Sequence, residues 1–469
     1  MLRIFFIIFL INFLECLSFT PNILRRNNYM SENIVLKFGG SSLKSESHIR
    51  NVAKIINNTI SENKMPIIVC SAIDDTTNKL ENICYSKNFN DVLKLLDKHN
   101  LILRNLGCQR DMKKLYKIYS NLYTKVSKEY DDISERKDSV ISFGEILSVQ
   151  IVTSYLNSIG IKSKCYNSYE LGFITNDIFN DAIILESSYD LIKKKISDLP
   201  KNHVPIITGF LGKNKDSKIT TLGRGGSDLT ATTIAKCINA KEVQVWKDVD
   251  GIFTCDPKIV PDAKLIPNIN YEEASEMALH GAKILHPIAL DPCKSKNIPV
   301  IVKNSYNVNS NGTIINNNTN KNEITAITSK DNITIVDIIS LDMIGISGFV
   351  SKVFKIFEEN RISVDVISTS EKSISISIEK KDSHKINKIK DDLNKISNVN
   401  INKNMSIISI ICDANKTSKI LSKVFKILNR KNIKVEMISK GISKINISLI
   451  INNFNLEKSL IMLHKALFA

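Results

Sequence analysis

A chain of 469 residues is long enough for about three domains, each able to bury a core of its own. Hydrophobic residues make up 43% of it and charged residues 24%, values that exclude a mostly disordered chain and a polytopic membrane protein. The formal net charge is +16, yet the lysines are scattered among Asn and Ile without a basic block or an aromatic-interleaved stripe, so nucleic acid is not an expected partner. Nine widely spaced cysteines include no Cys-x-x-Cys pair and read as reduced thiols, signalling neither a disulfide scaffold nor a metal site.

After Arg3, the run from Ile4 to Leu14 is apolar except for Asn12, the length of a signal-peptide core and too short to span a membrane. Cys16 and Ser18 are small residues before a plausible cut ahead of Phe19, and the stretch from Phe19 to Ser31 is basic and polar with no acid. Residues 1–30 are therefore expected to be a targeting presequence. They resemble the bipartite presequences of plastids acquired by secondary endosymbiosis, with a cytoplasmic or secretory destination as the alternative and no membrane attachment in the mature form.

The first folded element is the apolar strand Ile34 to Phe38, which ends in Gly39-Gly40 and is followed by Ile49, Val52, Ala53, Ile56 and Ile60 at helical spacing. Ile67 to Cys70 predicts a second buried strand, and the stretch from Asn88 to Lys137 predicts polar helix. Gly144-Glu145 opens a further helix carrying Ile146, Leu147, Val149, Ile151, Val152 and Leu156. Val204 to Thr208 and Val243 to Trp246 are strand candidates, separated by the cluster Gly223-Arg224-Gly225-Gly226-Ser227-Asp228 and a helix. Alternating strands and helices predict an α/β sheet covered on both faces. The Asn-rich residues 306–330 read as a linker.

The last third contains an internal repeat. Val350 to Ser368 aligns without gaps on Leu421 to Ser439, 71 positions further on, with ten identities in nineteen positions. Each copy has strand runs on both sides of an amphipathic helix, which predicts two antiparallel βαββαβ modules over residues 331–400 and 401–469.

Three loops carry chemistry. Lys37-Phe38-Gly39-Gly40-Ser41-Ser42 sets a cation at a strand end and two glycines in the turn, so that bare N–H groups can approach phosphate oxygens. The second glycine cluster adds another set of N–H groups, the Arg224 guanidinium and the Asp228 carboxylate. Capping by Ser227 or Asp228 is the plainer account, but it leaves an Arg between glycines unexplained. Trp246-Lys247-Asp248-Val249-Asp250-Gly251 ends a strand with clustered charge, as a ligand loop at the carboxyl edge of a sheet would. Together they point to a nucleotide phosphoryl site.

The stretches KFGGSS (37–42), SFGE (142–145), TTLGRGGSD (220–228), VWKDVDGIFTCDP (245–257), HGAKILHP (280–287) and VKNSY (302–306) jointly resemble those of aspartokinases of the monofunctional, lysine-sensitive, plant-like kind. The resemblance runs from about Asn33 to the end of the chain. It implies an α/β amino-acid kinase fold, a mainly parallel sheet sandwiched by helices over residues 33–305, followed by two ferredoxin-like ACT modules. No homoserine dehydrogenase half is expected.

Carried over position by position, the resemblance implies that Lys37, with Phe38, Gly39 and Gly40, holds the β- and γ-phosphates of ATP, and that Asp228 positions Lys37. Arg224 would clamp the α-carboxylate of aspartate and Glu145 would take its ammonium group, with Thr77 and Ser227 contacting the substrate. Lys247, Asp248, Phe253, Lys258, Lys283 and Ile284 fall where the family binds the nucleotide. Here Ser41 stands in place of the usual Thr, and Lys247, Phe253 and Lys258 where bacterial relatives often have Thr, Tyr and Arg. The β-carboxylate of aspartate is ionised at neutral pH, so transfer needs no general base, and Mg²⁺ would be held more by ATP and water than by protein carboxylates. His280 and His286 beside Gly281 and Pro287 are expected to pack and hydrogen-bond.

In the first module the resemblance implies a lysine effector. Its ammonium groups would face Asp365 and Glu371 and its carboxylate the N–H groups near Gly348 and Phe349, with Met343, Val350, Thr369 and Ser370 around it. Core packing is an equal account of the apolar members of that set. The second module is assigned to subunit association in a homodimer or homotetramer. A catalytically inactive amino-acid sensor and a kinase for another small carboxylate are the alternatives.

Overall fold

The computed structural model describes residues 32–282, 285–318, 322–339, 348–440 and 445–468. The expected presequence, Lys283, Ile284 and Met343 lie outside them. Strands are numbered β1 to β16 in chain order. The chain forms two compact units: the first takes in the residues up to Ile252 and Leu285–Asn317, the second Phe253–Ile284 and everything from Asn318.

In the first unit, β1 (Asn33–Phe38) is buried from Ile34 to Phe38, as its apolar residues demand of a central parallel strand, and it carries Lys37 into the interior with them. β2 (Met65–Cys70), β3 (Ser163–Tyr166), β4 (Val204–Thr208), β7 (Glu242–Lys247) and β9 (Val300–Asn304) join it in parallel, and β10 (Thr313–Asn316) lies antiparallel to β9. Within this unit the order runs β3-β4-β2-β1-β7-β9-β10. The chain leaves β1 toward β2 on one side and returns to β7 on the other, so the strand order reverses at β1, where α/β sheets open their ligand crevice. A two-stranded ribbon, β5 (Leu211–Lys213) and β6 (Ile219–Thr221), leads into the second glycine cluster.

The helix Glu46–Ser61 buries Ile49, Val52, Ala53, Ile56 and Ile60, the stripe its spacing predicts. The polar helical stretch resolves into Phe89–Asn105, Met112–Ser127 and Ile133–Ile141. Ile133–Ser158 is long and apolar enough to cross a membrane by composition, but 89% of its most apolar window is buried inside the protein, so that surface is used in the core of this unit.

The second unit is organised by a six-stranded sheet in the order β12-β13-β11-β14-β16-β15. β11 (Ile324–Ile339) and β14 (Asn398–Cys412) are long and serve both modules. In the first module the half of β11 from Thr334 to Ile339 pairs with β13 (Ser373–Ile378), and β12 (Val364–Thr369) lies outside it. In the second module the other half of β14 pairs with β16 (Asn446–Asn452), flanked by β15 (Val435–Ser439). Its fourth strand is Ile324–Lys330, which precedes the whole first module in the chain and pairs with Ile407 to Cys412. β8 (Asn268–Asn270) and the helix Tyr271–Leu279 also fall in this unit.

Residues 306–330 are thus not a linker. They hold β10 and half of β11, because Thr313-Ile314-Ile315 and Ile324-Thr325-Ala326-Ile327-Thr328 supply β-branched residues between the asparagines that suggested a connector. Phe253–Ile284 groups with the modules in the second unit. The repeat itself is structural. Phe349, Val353 and Phe357 on the helix Phe349–Glu359, and Ile420, Val424 and Leu428 on Thr417–Asn429, occupy equivalent positions and are buried in their modules.

Candidate active site

Register brings the loops together. Phe38 lies beside Cys70 on one side and Trp246 on the other, and Cys70 beside Thr208. The turns after β1, β2, β4 and β7 therefore leave the sheet at one level. Among them lies a cavity of about 280 Å³, lined by Lys37, Gly40, Ala72, Asp74, Thr77, Glu145 and Phe210 and, from the glycine cluster, by Gly223, Gly225, Gly226, Ser227 and Asp228.

The turn after β1 is tightly braced. A Cβ on Gly40 would stand 2.8 Å from the Ala72 carbonyl oxygen, so only glycine lets the two loops close. Ser42 donates to the Trp246 carbonyl at 3.1 Å and receives a bond from Ser305 at 2.9 Å. Ser305 also reaches the Lys247 carbonyl with its N–H and its hydroxyl, and Tyr306 donates to the Ser41 carbonyl at 2.7 Å. The VKNSY stretch thereby gains a physical role that its composition does not announce: it ties the Lys37 turn to the Lys247 turn.

Lys37 Nζ sits 2.6 Å from Asp228 Oδ1, both side chains being almost wholly buried. Asp228 lies in the first turn of the helix Gly226–Ile238, whose N-cap is Gly225 at φ +79° with no side-chain cap. Capping by Ser227 or Asp228 is thereby excluded, and the uncapped N–H groups at the cleft wall favour an anion. Lys247 stands close enough to feel both members of the ion pair, and burial lowers its pKa, with Asp228 opposing and Lys37 adding to the effect.

Glu145 is the most telling group. It is buried in the first turn of the helix Phe143–Ser158, and its Oε1 accepts the Ala72 N–H at 3.1 Å. Its Oε2 is buried with no hydrogen-bond partner among the described residues. Burial pushes its pKa up to about 8, only partly offset by the Ala72 N–H and by Lys37. A buried carboxylate oxygen without a partner is costly, and an incoming ammonium group would supply what is missing. The cleft thus offers a cation site at Glu145 and anion sites at Lys37, Lys247 and the helix start, which suits a small zwitterion beside a polyphosphate.

Other expected positions fall differently. Thr77 is in the cleft, but Thr76-Thr77-Asn78 opens the helix Thr76–Ser86 rather than forming a turn. The Phe38 side chain is core, stacked on Trp246 with ring centroids 6.2 Å apart, so only its backbone faces the turn. Arg224 is exposed and outside the cavity lining, and Asp248 is exposed. Phe253 and Lys258 belong to the second unit, Phe253 bridging to Leu265 and Lys258 exposed with its N–H on Asp256. His286 packs under Gly225, and His280 contacts Asn446 and Glu276. The residues missed are Ala72 and Asp74. Their signal was positional: they follow a buried strand adjacent to β1.

In the first module Gly348 is the N-cap of its helix, at φ +93°, Phe349 is core and Val350 is exposed. Ser370 and Glu371 are not on a strand edge. They form the β12–β13 hairpin turn, closed by the bond from the Ser370 N–H to the Ser373 carbonyl at 2.8 Å, with Thr369 exposed just before it. Asp365 already has an ammonium partner: Lys330 Nζ lies 2.6 Å from it and 3.0 Å from Glu379.

The chain matches the amino acid kinase family over residues 32–304 and the ACT domain over 336–387 and 408–467. It is 40% identical to "Aspartokinase 2, chloroplastic" of Arabidopsis thaliana over 92% of this chain and 84% of that protein. With the aspartokinase of Saccharomyces cerevisiae it shares 30% identity, over 93% of each chain. Among solved structures, aspartokinase III of E. coli with aspartate and ADP superposes with a TM-score of 0.81 at 27% identity, covering 93% of this chain and all of that one. The same enzyme with lysine and aspartate gives a TM-score of 0.79. Kinase fold, paired ACT modules and likeness along nearly the whole length agree: this chain belongs to the aspartokinases and is an aspartate kinase.

Proposed function

We propose that the cleft transfers the γ-phosphoryl group of ATP to the β-carboxylate of L-aspartate, forming 4-phospho-L-aspartate, the first step of the route to lysine, threonine and methionine. The observation that carries this reading is the juxtaposition of an unpartnered buried Glu145 oxygen with the Lys37–Asp228 pair in one cavity. Glu145 takes the substrate ammonium group, Thr77 and Ser227 flank it, and the exposed Arg224 closes on the α-carboxylate. Lys37, the N–H group of Gly40, Lys247 and the start of the helix at Gly226 hold phosphate oxygens; the Gly39 N–H, expected to be bare, is instead taken by the Trp246 carbonyl at 3.4 Å. Asp228 keeps the Lys37 ammonium aimed at the transferring group. Phosphoryl transfer calls for this positioning and charge neutralisation rather than covalent chemistry by the protein.

Mg²⁺ supplies further neutralisation when it enters with ATP. It would be carried by phosphate oxygens and water. Phe253, Lys258, Lys283 and Ile284 are assigned to the nucleotide on the resemblance alone.

Control is assigned to the ACT modules, with lysine as the inhibitor and Gly348, Phe349, Val350, Met343, Thr369, Ser370, Asp365 and Glu371 around it. Exposed Ile367 and Ile438 on the outer strands β12 and β15 support association of subunits through these modules. The test is aspartate-dependent ADP formation by the purified chain, with glutamate and acetylglutamate as controls, titrated with lysine. Glu371→Ala should keep normal activity without lysine and raise the half-inhibitory lysine concentration about fivefold or more, a modest effect because an exposed pair is screened. Asp365→Ala should act through the loss of the Lys330 contact as well. Equal lysine sensitivity of wild type and both variants, or stronger inhibition by threonine, would refute the assignment.

The plastid is proposed as the destination. Residues 1–30 fused to a fluorescent protein should direct it there, and Phe19→Ala should hold it earlier in the secretory route. Uniform cytosolic fluorescence of the unaltered fusion is the contrary result.

A further inference from the structure

We infer that Asp138 is a positioning residue for aspartate: it fixes the loop that carries Arg224 and sets it in register with Glu145. The inference rests on the reading that this loop receives the substrate's α-carboxylate.

Asp138 lies on the helix Ile133–Ile141 and is completely buried. Its Oδ2 accepts two backbone N–H groups, from Asn180 and from Thr221, each at 2.9 Å. Its Oδ1 accepts the Thr221 hydroxyl at 2.6 Å. A carboxylate with three donors and no solvent is a committed structural charge, and those donors come from two separate segments; a further tie from the same helix is the more exposed Glu135–Lys218 pair, just ahead of β6. Burial raises its pKa to about 6, and the three donors hold it from rising further.

What Asp138 organises is the platform under the glycine cluster. Thr221 is the last residue of β6, two positions before Gly223. Its carbonyl receives the Ala182 N–H at 2.9 Å, which closes the 180–182 segment against β6. Gly223 then rests on that segment: at φ +65°, a Cβ on it would stand 2.2 Å from Asp181 Oδ1 and 3.2 Å from the Asn180 carbonyl oxygen. The course of Gly223-Arg224-Gly225 is therefore set by the segments that Asp138 holds, although Asp138 does not line the cavity.

The same stretch of chain carries the other half of the aspartate subsite. Glu145 follows Asp138 by seven residues, across the short junction between the helix Ile133–Ile141 and the helix Phe143–Ser158. One carboxylate receives the substrate's ammonium group and the other locates the loop for its carboxylate, so the spacing between the two ends of the substrate is ruled by one short stretch of chain. Reacting groups must be held to within fractions of an ångström, and slack in such a support appears as weakened binding of the substrate it frames.

Kinetics of the full chain, with aspartate and ATP varied separately, test this. Asp138→Asn forces an amide NH₂ toward either two N–H donors or the Thr221 hydroxyl and removes the charge. Thr221→Val removes only the hydroxyl and conserves shape, so it carries the test should Asp138→Asn fail to fold. Both should raise the KM for aspartate about tenfold while leaving the KM for ATP within about twofold, and Thr221→Ser should restore the wild-type value. A parallel rise in both Michaelis constants, an unchanged aspartate KM in a folded Thr221→Val, or equal damage from Thr221→Ser overturns the inference. Arg224→Ala separates the two levels. If it raises the aspartate KM and Thr221→Val does not, the inference alone falls. If Arg224→Ala has no effect, the assignment of the loop to aspartate has failed and the inference falls with it.

Discussion

Lys37→Met and Asp228→Asn should each lower kcat on the order of 10²-fold or more while the protein stays folded. The first removes a cation from the transferring phosphoryl group. The second keeps the shape of the side chain but withdraws the charge that holds the Lys37 ammonium 2.6 Å away in a nearly dry site. Because each member of the pair is meaningful only with the other, the double variant should lose little more than either single one, the non-additivity expected of groups acting as a unit. Circular dichroism establishes folding and steady-state assays give the rates. A variant with near-normal turnover, or a double variant with the product of the two losses, would remove the pair from the phosphoryl site.

A second large effect is expected at Glu145. Its carboxyl, whose pKa burial pushes up to about 8, must release a proton to receive an ammonium group. Aspartate binding should therefore weaken about tenfold for each pH unit below 8 until another group titrates. Glu145→Gln should cost on the order of 10²-fold in kcat/KM for aspartate and flatten this pH dependence. Stability moves the other way. A folded-state pKa raised above the ordinary value means that stability is greatest at low pH and declines as pH climbs toward 8, because the folded protein must either keep a proton or bury a charge. Glu145→Gln should hence melt at a higher temperature than wild type at pH 8 and show little difference at pH 4. A KM for aspartate that is constant between pH 6 and 8 would sink the assignment.

The chain's apolar runs made the parallel sheet legible, because buried central strands such as Ile34 to Phe38 need no partner information to be recognised. The glycine turns were equally plain, since Gly40 and Gly225 satisfy backbone demands that few residues can meet. Glu145 was located through its resemblance, but its unpartnered oxygen could not be read from a sequence, as it depends on which loop lies above the helix. The same is true of Asp365, whose nearest cation comes from Lys330, 35 positions away and on another strand. The strands within residues 306–330 were missed for a different reason. Asparagine-rich composition suggests a connector, and strand pairing between residues nearly ninety positions apart leaves no local trace that would correct it.

That long-range pairing has a bearing on how the protein is made. During synthesis the half-strand Ile324–Lys330 leaves the ribosome well before Ile407 to Cys412, to which it pairs. At roughly 5 to 20 residues per second the wait lasts several seconds, during which the half-strand Ile324–Lys330 presents an open edge. Such an edge invites the equivalent segment of a neighbouring nascent chain. Ribosomes spaced closely on one message would therefore favour strand-exchanged products in which the second module is completed in trans. Slow translation of the repeat region would widen the interval in which this can happen.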